Sequence, residues 1–170
     1  MLFSEKILFY TMLVMIVSAL INVYSIYITQ KHNKKMVLPI VNIHPFDYVN
    51  CIKINLLNEG VGSLIITNIE VINPNNKIEP NLFEHCPILP QNLKYSNYLL
   101  RNKDIILYQG KSIEMLDIHF NLTEDFHKMY RDELRIILSD LIIKIEYTDV
   151  YKTKFKPYIK NLNLYKRDNN

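Results

Sequence analysis

The hydrophobic and polar positions divide the chain into two unlike stretches. From Ile7 to Gln30 no residue is charged, and most positions are Ile, Leu, Val, Met, Phe or Tyr. At about 1.5 Å per residue this run makes a helix of roughly 36 Å, enough to cross a hydrocarbon core of about 30 Å with some tilt. Asn22 is the strongly polar residue of its interior. Thr11, Ser18 and Ser25 can return their hydroxyls to the helix backbone. Tyr24 and Tyr27 fall near its end, where aromatic rings favour the membrane interface, and Lys31, Lys34 and Lys35 close it. A cleaved signal peptide would carry a shorter apolar run and an Ala-x-Ala site. A buried soluble helix would need protein on every side. The pattern therefore predicts a retained single-pass anchor over residues 1–30, followed by a polar linker over 31–36.

Beyond the linker the period changes from helix to strand. Val37 to Ile43 reads as an edge strand stopped by Pro45. In Val49 to Leu57, Cys51, Lys53 and Asn55 share one parity and Ile52, Ile54 and Leu56 the other, which is the alternation of a half-buried strand. Asn58-Glu59-Gly60-Val61-Gly62 reads as a turn in which both glycines can take positive φ. Leu64 to Ile72 extends again, and Asn73-Pro74-Asn75-Asn76 turns. Pro80, Pro87 and Pro90 argue against a long strand in residues 77–102. Ile105 to Tyr108 and Ser112 to Phe120 are strands around Gln109-Gly110-Lys111. Asn121 is placed to cap a helix, with Glu124 three residues on. Its predicted apolar stripe is Leu122, Phe126, Met129, Tyr130, Leu134, Ile137 and Leu141. Leu141 to Tyr147 and Tyr151 to Tyr158 are the last strands. The second is lysine-studded like a protected edge, and a polar tail occupies 165–170. About seven short strands with turn signals between them predict a mainly β chain: an N-terminal transmembrane helix, then a β-sandwich over 37–164 with one helix in a connection.

Composition narrows the class. Apolar residues make up 49 % of the 170 positions and only three are glycine, so the chain is neither disordered nor collagen-like. The net charge is +3. The cations are scattered through strand-like runs and not gathered on one stripe, which argues against nucleic acid as a partner. Isoleucine and asparagine are over-used, as an AT-rich coding sequence would produce.

Two segments, Asn58-Glu59-Gly60-Val61-Gly62-Ser63-Leu64 and Tyr147-Thr148-Asp149-Val150-Tyr151, resemble a class of small, uncharacterised single-pass membrane proteins of large DNA viruses and low-GC bacteria. These carry an N-terminal anchor and an immunoglobulin-like β-sandwich. The class has an Asn-x-Gly-x-Gly-like turn after the second strand and a Tyr-x-Asp-x-x-Gly hairpin near the end. Here Lys152 stands where the hairpin glycine would be, and Ser63 where a proline is usual. The resemblance implies a fold and brings no catalytic residues.

Candidate chemistry is sparse in sequence. His32, His44, His85, His119 and His127 form no i,i+4 pair and no His-Glu-x-x-His motif. His85-Cys86 with Cys51 could supply three zinc ligands, but ordinary side chains account for them better, so no metal or cofactor is expected. Cys51 and Cys86 could form one disulfide in an oxidising compartment. Asn121-Leu122-Thr123 is a glycosylation sequon. Gly60 and Gly62 lack the lysine and hydroxyl of a phosphate loop, and no Gly-x-Ser-x-Gly elbow occurs. Glu124 and Asp125 suit the positive end of a helix. Tyr95, Tyr98 and Arg101 sit in a loop stretch, 92–103, whose aromatics and basic rim would suit a protein interface. With no catalytic grouping in view, the sequence predicts a non-enzymatic chain. It would be a membrane protein, bound to the lipid bilayer through residues 7–30, whose sandwich binds or scaffolds another protein. The alternatives are a structural component of a viral envelope and a membrane-tethered hydrolase. The three lysines after the anchor put the domain on the cytoplasmic side.

Overall fold

The alternation in residues 51–58 is the frame on which the fold is built. In the computed structural model, which describes residues 3–88, 93, 95–121 and 123–166, Ile52, Ile54 and Leu56 are fully buried while Lys53 and Asn55 stay partly exposed on the opposite face. The elements in chain order are helix α1 (Phe3–Met36), strands β1 (Val41–Tyr48), β2 (Cys51–Asn58), β3 (Leu64–Ile72), β4 (Ile78–Glu79), β5 (Tyr95–Tyr98), β6 (Ile105–Leu107) and β7 (Ser112–His119), helix α2 (Asp125–Ser139), and strands β8 (Ile142–Thr148) and β9 (Tyr158–Asn161). Short 3-10 turns occupy Phe83–His85 and Asn163–Tyr165.

The chain divides into two units, Met1–Val37 and Leu38–Asn170. The first is α1, which from Lys6 to Met36 is long and apolar enough to cross a membrane; its apolar window is not buried by protein. The stretch expected as a linker, 31–36, continues this helix. It contains neither proline nor glycine, and Lys34 and Lys35 in the last turn complement the helix dipole.

The second unit is a β-sandwich of two antiparallel sheets. One has the order β1-β2-β7-β5; the other has the order β4-β3-β8-β9, with β6 also paired to β3. Their inner faces share one core, in which Ile52, Ile54, Leu116 and Ile118 of the first sheet and Leu64, Ile66, Ile143 and Ile145 of the second are inaccessible to solvent. Helix α2 bridges β7 of one sheet to β8 of the other.

Several local expectations are corrected. β1 begins at Val41 and runs through Pro45 to Tyr48. Among the described residues it pairs only with β2, and an edge strand tolerates the missing N–H of proline. Strand β5 forms in the stretch expected to be irregular, clear of its prolines. Gly60 is not at positive φ; it is needed because a Cβ there would lie 2.4 Å from both Ile40 N and Leu38 O. The turn is organised by buried Asn58, whose Nδ2 donates to Gly62 O (2.7 Å) and Leu107 O (2.9 Å) while its Oδ1 accepts from Gly60 N (3.0 Å). The Tyr151–Tyr158 strand is replaced by a wide turn, and β9 starts at Tyr158. Asp149 Oδ1 accepts from the N–H groups of Tyr151 and Thr153, both at 2.8 Å, and Lys152 takes φ 59°, the left-handed backbone that the hairpin glycine would have adopted.

Helix α2 keeps part of its predicted stripe, with Tyr130, Leu134 and Leu141 buried, and departs from it in the first turns. Its buried residues are His127, Tyr130, Leu134, Arg135 and Leu138, whereas Phe126 and Met129 are exposed; Leu122 lies outside the described residues. Asn121 is not its cap. It makes an Asx turn one step earlier, accepting from Thr123 N, and Glu124 begins the helix. Arg135 is buried because it donates to Asp47 Oδ1 at the end of β1 (2.9 Å from Nε) and to Asp132 (3.1 Å). Tyr165, expected in a polar tail, is 2 % exposed, and its hydroxyl donates to Phe46 O and Lys53 O. Residues 167–170 of that tail lie outside the described residues.

Candidate functional site

The outward face of the first sheet can be read row by row from the strand register. Tyr48 of β1 lies beside Cys51 of β2, which lies beside His119 of β7; the next row is Phe46, Lys53, Asp117 and, on β5, Asn97. Asp117 and His119 are two apart on one strand and so share a face, the same one that Cys51 and Lys53 take by parity. Leu116 and Ile118 between and beside them go to the core.

Three groups converge there. Among the described residues, Cys51, Asp117 and His119 present ligand-type atoms that all lie within 4.8 Å of one another. The Cys51 thiol donates to Asp117 Oδ1 at 3.5 Å, and His119 Nε2 lies 3.3 Å from the same oxygen. The other oxygen, Oδ2, is 3.3 Å from Lys53 Nζ, which also pairs with Glu114. Glu114 in turn accepts from Asn97 Nδ2 at 2.8 Å. Cys51 and Asp117 are buried, whereas the His119 side chain, at the last position of β7, is 59 % exposed. The cluster is thus closed from below and open at one edge.

Its electrostatics follow from that burial. Desolvation, helped by the Asp117 carboxylate, pushes the Cys51 thiol up to about 11, so at neutral pH the sulfur keeps its proton. The hydrogen bond to Glu114 raises Lys53, and the same contact, with that of Asn97, holds Glu114 below the ordinary carboxylate range. The ring nitrogen of His119 nearest the cluster faces the carboxylate, and the thiol donates to that same carboxylate, so the sulfur is not set up as a free thiolate nucleophile. A thiol, a carboxylate and an imidazole around one point are instead a donor set that can hold and orient water or a metal ion.

The expectation of a non-enzymatic chain is overturned by this convergence. No motif announces it, because Cys51 lies on a strand 66 residues before Asp117 and its neighbour His119. The outward parity of Cys51 was the available signal. The other sequence candidates are not drawn together. Cys51 and Cys86 are not joined in a disulfide; Cys86 Sγ donates to Leu82 O at 3.4 Å. His85 Nε2 lies 3.3 Å from Val71 O, in the second sheet. Tyr98 stacks on Phe83 with ring centroids 5.0 Å apart, and Arg101 Nε folds back on Lys103 O at 2.9 Å. The backbone of Tyr95 belongs to β5, and its side chain lies outside the described atoms. Asn121 is exposed, with Thr123 Oγ1 donating to its Oδ1 at 2.9 Å. A cavity of about 550 Å³ beside the end of α2 is lined by Arg131, Arg135 and Lys166, but the two arginines are already committed to Val49 O, Asp132 and Asp47. No family model, no curated protein and no solved structure matches the chain.

Proposed function

We propose that the chain is a membrane-tethered hydrolase, with α1 as the tether and with Cys51, Asp117 and His119 as its reacting centre. The observation that carries this reading is the meeting of thiol, carboxylate and imidazole at one point of a sheet face, buried below and open beside His119. Such a centre suits hydrolysis because water, the second substrate, reaches it from the open edge. The attacking water oxygen bonds to the ester carbonyl or phosphorus, its proton passes to a basic group of the centre, and the leaving oxygen departs with a proton.

The strand orders β1-β2-β7-β5 and β4-β3-β8-β9 correspond to the A-B-E-D and C′-C-F-G orders of an immunoglobulin-type sandwich, which supports that name for the fold and the resemblance drawn from the sequence. Tether and domain divide near Val37. The lysines at 31, 34 and 35 support a cytoplasmic domain, where Cys51 and Cys86 would stay reduced. A glycan on Asn121 would reverse that orientation.

The test is turnover by the full-length protein in detergent, against a panel of activated carboxylic and phosphoric esters. Asp117→Asn and His119→Gln are each expected to lower the rate by at least about 100-fold, the scale of a lost acid–base group. Turnover no greater than that of buffer, or turnover in both variants equal to that of the wild type, would sink the hydrolase reading.

A further inference from the structure

The same three groups have the geometry of a metal centre. We infer that Cys51 Sγ, Asp117 Oδ1 and His119 Nε2 together bind one divalent cation of the zinc class; this rests on the reading of the cluster as the functional site and names what that site holds. With zinc–sulfur at about 2.3 Å and zinc–oxygen and zinc–nitrogen at about 2.0 Å, a tetrahedral centre sets sulfur and oxygen about 3.5 Å apart and nitrogen and oxygen about 3.3 Å apart. Cys51 Sγ and Asp117 Oδ1 are 3.5 Å apart, and His119 Nε2 and Asp117 Oδ1 are 3.3 Å apart. The ligand edges through Asp117 are therefore already in place without rearrangement of the strands.

Three further features agree. First, the donor types select the ion. A sulfur ligand with an imidazole favours zinc and disfavours magnesium and calcium, which want oxygen alone. Second, the neighbouring groups orient the carboxylate. Lys53 occupies Oδ2 and leaves Oδ1 as the single donor, while Glu114, held by Asn97, offsets the lysine charge that would otherwise repel a cation. Third, three protein ligands leave one tetrahedral position vacant on the exposed His119 side, the arrangement of catalytic zinc in contrast to structural zinc. On binding, Cys51 releases its thiol proton to solvent and the two anionic ligands balance the dication.

The experiment uses full-length protein in detergent, stripped with chelator and titrated with cobalt(II) as the probe, then with zinc as competitor. One equivalent of cobalt is expected to give a sulfur-to-cobalt charge-transfer band in the near ultraviolet and tetrahedral ligand-field bands in the visible, both bleached by zinc. Cys51→Ser should abolish the charge-transfer band. His119→Gln changes an exposed side chain and so leaves folding intact; it should weaken cobalt binding at least about tenfold. Metal-dependent elevation of the melting temperature, lost in His119→Gln, is a second readout. Absence of both bands and of any thermal shift would overturn the inference, as would wild-type binding by His119→Gln. Absence of cobalt and zinc binding together with hydrolysis that survives complete chelation would overturn it while leaving the hydrolase reading intact. Stoichiometric metal without turnover would support it and remove the hydrolase reading.

Discussion

The outward faces of the two sheets carry nearly the same charge motif and differ in what surrounds it. On the first, Lys53 reaches two carboxylates, Glu114 and Asp117; on the second, Lys144 reaches Glu70 at 2.9 Å and Glu146 at 3.1 Å. The lysines are equally half-buried, with side chains 26 % and 28 % exposed. The difference lies in the third member. The Asp117 side chain is 9 % exposed and is approached by a thiol and an imidazole, whereas Glu146 is 45 % exposed and, among the described residues, forms an ion pair with the lysine alone. A lysine between two acids on a solvated strand pair is ordinary surface chemistry and stabilises little. The same motif becomes a candidate centre when one acid is buried and a thiol and an imidazole converge on it.

That contrast concerns the outward faces only, and the inward faces should behave alike. Ile54→Ala in the first sheet and Ile143→Ala in the second each remove a fully buried side chain from the shared core. Each is expected to lower unfolding stability by about 2–5 kcal/mol. Urea denaturation followed by circular dichroism measures both. A single cooperative transition in each variant is expected; a variant that melts one sheet and leaves the other folded would break the picture of one core.

How much of this was legible in the sequence depends on the range of the interaction concerned. The β2 parity was legible, because alternation is local: Ile52, Ile54 and Leu56 went to the core between the sheets and Cys51 and Lys53 to the opposite face of their sheet. The sandwich class and the long apolar helix were legible for the same reason. The pairing of β2 with β7 was not, since the Cys51–Asp117 contact spans 66 residues and no spacing rule connects them. The α2 stripe was legible at Tyr130 and Leu134 but not in full, because two of its buried residues are polar. His127 is held by the Asn121 N–H at 2.9 Å, and Arg135 by Asp47; those partners lie on other segments and make the burial tolerable. Lys152 at positive φ is stabilised by the Asp149 turn, a compensation that a glycine rule does not foresee.

Tyr165 sharpens the comparison from the chain terminus, because its hydroxyl ties the C-terminal segment to β1 and β2 of the first sheet alone. Tyr165→Phe is expected to cost about 1 kcal/mol near neutral pH, the usual net worth of such a hydrogen bond. Burial raises the Tyr165 phenol well above its ordinary value near 10. The sign follows. Below about pH 10 the phenol is protonated in both states and its contribution is complete. As pH rises past that value the unfolded chain ionises while the native ring does not, and stability falls. Urea midpoints measured on both sides of about pH 10 should decline more in the wild type than in Tyr165→Phe. Equal declines would place the ring in solvent.

The smallest expected effect is the most discriminating, because it probes the face that lacks the soft donors. Glu70→Gln removes the 2.9 Å partner of Lys144 but leaves Glu146 at 3.1 Å, so the lysine keeps an ion pair. Lys144 is raised by these contacts, Glu70 first, yet the group is open to water. A solvated pair of this kind stabilises little, and with Glu146 still in place the urea midpoint should stay close to that of the wild type. Cobalt binding and ester turnover should be unchanged in this variant. If Glu70→Gln lowered turnover as strongly as Asp117→Asn, the two faces would be acting as one system. The activity could then no longer be assigned to the convergence of Cys51 and His119 on a buried acid.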